Sequence, residues 1–133
     1  MLDTPAPFDF LIRMPYQFYK VLHLAGVFLI LVSLAGVIFH TISGGTKANA
    51  ARRLAAITHG VGMLILFVAG FGLLAKLGIH WPWPGYIFVK FGLWLLMGGL
   101  LALAYRPGMV RLLWFVVPLV AVLAGFLAIY KPF

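Results

Sequence analysis

Four histidines, His23, His40, His59 and His80, are the main groups in this chain able to do chemistry. Two of them, His23 and His59, lie within long apolar runs. An intramembrane imidazole is costly unless it finds a partner, so both are candidates for function. A neutral imidazole nitrogen can ligate haem iron. His23 and His59 are therefore candidate axial ligands of haem b. Lys20 lies one turn before His23, and Arg52 two turns before His59 on the same face. Both are candidate contacts for the propionates. Gly60 and Gly62 would let a flat macrocycle approach this helix. The competing reading is structural: either histidine can hydrogen-bond across a bundle, to a carbonyl, Ser33 or Thr58. Such bonds contribute about 0.6–2 kcal/mol in membranes. A quinone or another cofactor is the third reading. His40, at a helix end, suits the macrodipole and headgroups. His80, in the turn HWPWPG, reads as solvated.

Spacing tests the haem reading. At 1.5 Å per residue, His23 lies roughly 10 Å below one surface and His59 roughly 10–15 Å below the other. Across a core about 30 Å thick, the two differ in height by about 5–10 Å. Ligands of one iron should be nearly level. Helix tilt repairs part of this mismatch, and pairing His40 with His59 is no better. A second ligand to His59 would then have to come from another chain.

Other chemistries are thinly supplied. The chain has no cysteine, which excludes disulfides, iron–sulfur clusters and thioether-linked haem. The only carboxylates, Asp3 and Asp9, lie in the N-terminal tail. No span carries an acid, which argues against a proton pump or cation antiporter. There is no nucleophile–base pair, phosphate loop or HExxH pattern. Neither a catalytic residue nor a metal site is assigned. Lys90, near a helix start, reads as a snorkelling cation.

These groups must be held by membrane-spanning helices. The chain has 133 residues, 65% hydrophobic and 9% charged, against about 25% charged in soluble domains. A span needs roughly 20 apolar residues, which leaves room for about four. The expectation is an all-α membrane protein, one domain of four transmembrane helices in an up-down bundle. Residues 1–15 form an interfacial tail, with Pro15 suited to a first helical turn. The helices cover about 16–41, 50–78, 86–105 and 109–130. Gly44 and Gly45 stop the first helix, Trp81 and Trp83 mark an interface, and Pro118 is expected to kink the fourth. Small residues permit close packing in lipid, so Gly92, Gly98 and Gly99 are expected to face Gly60, Gly62, Gly70 and Gly72. Phe18-Tyr19-Lys20 and Phe88-Val89-Lys90 open the odd-numbered helices alike, a weak sign of two related hairpins.

The net charge is +8, scattered at helix ends rather than clustered. Anionic lipid headgroups fit that pattern, and nucleic acid does not. Lys47, Arg52, Arg53, Arg106 and Arg111 flank loops 1 and 3; Arg13, Lys20, Lys76, Lys90 and Lys131 lie at the other end. The totals tie, but Lys20, Lys76 and Lys90 can snorkel. The positive-inside rule then favours loops 1 and 3 in the cytoplasm, with the termini outside. The N-terminus lacks the basic n-region of a signal peptide.

With the spans placed, Tyr19-Lys20-Val21-Leu22-His23-Leu24-Ala25-Gly26 and Thr58-His59-Gly60-Val61-Gly62 carry a resemblance. Gly70-Phe71-Gly72 and Phe88-Val89-Lys90 support it. The chain resembles small bacterial four-helix membrane proteins of the SirB-like and CopD-like type, and more distantly cytochrome b561-type bundles. The likeness implies a bacterial inner-membrane protein, and its cytochrome part implies haem. The paucity of reactive groups leads to the expected role. The expected protein is a non-catalytic accessory or scaffold subunit of a larger membrane complex related to electron transfer, with other membrane subunits or further copies of itself as partners. The alternative is a haem b-binding membrane cytochrome.

Overall fold

The structure, a computed structural model, describes residues 15–131. It contains α1 (Tyr16–Ile42), α2 (Arg52–Lys76), α3 (Gly85–Leu103) and α4 (Pro107–Tyr130). All four are long and apolar enough to cross a membrane. Among the described residues there is no strand. In lipid a spanning segment must satisfy its own backbone hydrogen bonds, and a helix does so internally. The chain is thus a four-helix, multi-pass membrane protein. The tail assigned to residues 1–15 lies outside the described residues, apart from Pro15.

Helix ends follow local chemistry. Pro15 stands just outside α1 as its N-cap, not in the first turn; its fixed φ aims the chain into the helix without needing an N–H. α1 and α2 stop in the same way. Gly44 and Gly78 take positive φ, at 90° and 69°. The residue after each donates its N–H five residues back, Gly45 to His40 and Ile79 to Leu74. This is the Schellman closure, and it needs a residue that tolerates the left-handed region. α2 therefore ends at Lys76, before the expected residue 78. Pro107 begins α4 at its first position, two residues earlier than expected, where its missing N–H costs nothing. Pro118 lies inside α4, which continues through it. α1 has 27 residues and α3 has 19. α3 nearly matches a 30 Å core, whereas α1 must tilt or protrude.

α1 is the centre of the bundle, touching all three other helices; α2 and α4 do not meet. The apolar core comes from α1, α3 and α4, with Ile30, Leu34, Val37 and Ile38 against Met97, Leu100, Val110, Leu113 and Val117. α2 supplies none of the fully buried large side chains. Its buried positions are His59, Gly62 and Ala69. Its partly buried Ala55, Met63 and Leu66 pack against that core, and close backbone approach and hydrogen bonds add to the attachment.

The glycines show how. A Cβ at Gly62 would lie 3.0 Å from the Gly26 carbonyl, and a Cβ at Gly26 would lie 3.0 Å from the Gly62 carbonyl. The two backbones cross in contact, which only small residues allow. Further along, the Tyr19 ring fills the place of a side chain at Gly72. The expected pairing of α3 glycines with α2 glycines is corrected here. Gly62 and Gly72 face α1, while Gly98 faces the Met63 side chain. Gly60, Gly70, Gly92 and Gly99 meet nothing within 4 Å of a Cβ. The second hairpin has no matching glycine crossing, so the two hairpins pack differently.

Candidate functional site

His59 is the one histidine in the deep interior, only 4% exposed. The Gly26–Gly62 crossing brings α2 close enough to α1 for its ring to reach Ser33. Nδ1 lies 3.1 Å from Ser33 Oγ, and that oxygen lies 2.8 Å from the Ile30 carbonyl. The ring's other nitrogen, Nε2, is buried without a hydrogen-bond partner among the described residues. The ring lies near the backbone of Met97 and Gly98 on α3. A neutral imidazole has one proton to place. The Ser33 hydroxyl also has one, and it goes to the Ile30 carbonyl, which can only accept. The imidazole proton therefore belongs on Nδ1, which donates to Ser33 Oγ. In that state His59 ties α2 to α1, and Nε2 carries the lone pair.

His23 is half-buried on α1, and its Nδ1 is buried without a hydrogen bond among the described residues. It lies near Lys90 on α3, and Lys90 lies near Lys131 at the end of α4. The structure does not bring His23 and His59 together. Ser33, level with His59, is about 15 Å further along α1 than His23. That offset exceeds the 5–10 Å expected from spacing. The residues do not fit a shared iron.

The other expected contacts are also apart. Arg52 is exposed at the start of α2. Lys20 is exposed, with Nζ 5.4 Å from the centre of the Tyr16 ring. Gly60, expected to admit a macrocycle, faces away from the bundle. His40 Nε2 donates to the Thr46 carbonyl at 2.9 Å, closing loop 1 over the end of α1. His80 is exposed in loop 2. Among the described residues no group of three or more acidic, cysteine or histidine side chains could hold a metal ion.

Two further polar links escaped the reading from residue types. The Thr41 hydroxyl lies 2.7 Å from the Ala104 carbonyl, tying the end of α1 to the end of α3. Trp94 Nε1 donates to the Met63 carbonyl at 3.0 Å, tying α3 to α2. The available signal was general: a buried indole N–H seeks a partner. Its acceptor, a backbone carbonyl on another helix, has no signature in the sequence.

A crevice of about 240 Å³ opens between α1 and α2 near loop 1 and reaches Ser33 and Thr58. Neither His23 nor His59 lines it. Comparison with family models, with curated proteins and with solved structures finds no match.

Proposed function

We propose that this chain is a non-catalytic subunit of the bacterial inner membrane that docks against a transmembrane helix of a different protein. The observation that carries this reading is the outer face of α3. Gly92 and Gly99 are seven residues apart and so share a face, and both are exposed with open space at Cβ. Leu95, Leu96 and Ala102 stand beside them, also exposed. Inside this same bundle, glycine is used where two helix backbones touch. On the outside, bare glycine backbone offers the same close approach to another helix. The fate of the histidines supports a structural role, because His59 and His40 are engaged in holding the bundle and loop 1 together. The resemblance to SirB-like and CopD-like proteins motivates an electron-transfer complex as the host.

Extraction in mild detergent tests this. The protein is expected to leave the membrane in a complex heavier than its own 14.6 kDa. Gly92→Leu together with Gly99→Leu is expected to release the partner while the melting temperature stays unchanged. A monodisperse lone protomer overturns the reading. So does an assembly containing this chain alone, which would make the surface a self-association face.

Loops 1 and 3 are assigned to the cytoplasm on their cations. With no native cysteine, an introduced one is unique. Lys47→Cys is expected to resist an impermeant maleimide in intact cells, and His80→Cys is expected to react. The reverse pattern inverts the topology.

A further inference from the structure

At the loop 1 and loop 3 end, the last turn of α1 and the beginning of α4 leave a groove of about 370 Å³. Phe39 and Ile42 line it from α1, and Arg111, Trp114 and Phe115 from α4. Arg111, Trp114 and Phe115 fall at i, i+3 and i+4, so one helix face presents all three. The four apolar residues are all exposed, Phe115 at 72%. Arg111 is the one charged group in this lining, and it too is exposed.

We infer that this groove holds one anionic phospholipid, with its phosphate on Arg111 and an acyl chain laid over Phe39, Ile42 and Phe115. Three features select that occupant. First, the groove pairs one cation with otherwise apolar walls, the pattern of an amphiphile with one anionic group. Arg111 lies about one turn inside the start of α4, a depth at which guanidinium reaches headgroup phosphate and Trp114 sits at the interface. Second, the charge is uncompensated. Lys47, Arg52, Arg53 and Arg106 share this end, and no carboxylate side chain occurs among the described residues. Third, the groove opens sideways, between the flanks of two spanning helices, where lipid is the solvent. Guanidinium binds phosphate oxygens in a two-pronged geometry that an ammonium does not match. The site is separate from the α3 face and stands without the docking proposal.

The test uses the full chain in nanodiscs made from phosphatidylcholine with one-fifth phosphatidylglycerol. After release into detergent, native mass spectrometry counts the retained lipids. The wild type is expected to keep one phosphatidylglycerol in preference to phosphatidylcholine. Arg111→Gln is expected to lower that preference about fivefold, the share of one interfacial cation. Arg111→Lys is expected to fall between the two. Arg53→Gln, which removes an exposed cation at the same end but outside the groove, is expected to keep the preference. Quenching of Trp114 by brominated phosphatidylglycerol, read as the signal lost in Trp114→Phe, should weaken in Arg111→Gln. Excess inorganic phosphate should not displace the lipid. Circular dichroism of each variant shows whether it is folded. Equal retention of the two lipids by the wild type overturns the inference. An equal loss in Arg111→Gln and Arg53→Gln, or displacement by free phosphate, overturns it as well.

Discussion

Gly62→Leu is expected to lose about 3 kcal/mol or more of stability, at or beyond the upper end of the usual overpacking range. The cause is local. A Cβ at this position would already press on the Gly26 carbonyl and on the side chains of Leu29 and Ile30. Three further carbons can be accommodated only if α2 moves off α1. That movement would also pull His59 away from Ser33 and Gly72 away from Tyr19, so the loss spreads along the seam. Gly26→Leu should cost a similar amount, because it blocks the same crossing from the other side. The two losses should fall well short of additive when combined, since both remove one contact. Gly26→Ala should cost less, with a single methyl at the margin of tolerance. Gly60→Leu is the control: it faces open space and should leave stability unchanged. Thermal unfolding in detergent, followed by circular dichroism, separates these outcomes. Equal melting temperatures for Gly60→Leu and Gly62→Leu would sink the crossing as the source of α1–α2 cohesion.

His59→Ala is expected to cost about 2 kcal/mol, from one interhelical hydrogen bond and the cavity left by the ring. Ser33→Ala should cost about 1 kcal/mol, since it removes the bond and leaves little space. A double-mutant cycle between them should return a coupling of about 0.6–1.7 kcal/mol. His59→Gln separates structure from ligation. Its amide N–H can donate to Ser33, so most of the stability should survive, but it cannot act as a haem ligand. The protein expressed with abundant haem is expected to show no Soret band. A band present in the wild type, lost in His59→Gln, and accompanied by an unchanged melting temperature would instead establish the cytochrome reading.

The placement of His59 shows how far residue types lead. Ser33 was one of three partners open to it from the sequence, alongside a carbonyl and Thr58. The tertiary structure selects Ser33, because the Gly26–Gly62 crossing sets the height at which α2 passes α1. The same crossing decides against the level pairing of His23 and His59. The α3 glycines make the converse case. Gly92, Gly98 and Gly99 were expected to seat α2, yet Gly98 alone meets it, through Met63.

The sequence by itself determines that this is a four-helix membrane protein, and where each span begins and ends to within two residues. The reason is that helices in lipid satisfy their own backbone, so length, apolar content and breakers such as Gly44, Gly45 and the Trp-Pro turn suffice. Which face of each helix turns inward is decided only by the tertiary structure. In water the apolar face declares itself. In a bilayer the solvent is as apolar as the core, so Leu34 inside and Leu24 outside are the same letter. The rotation of α2 about its axis, and with it the role of His59, rests on which glycine meets which backbone.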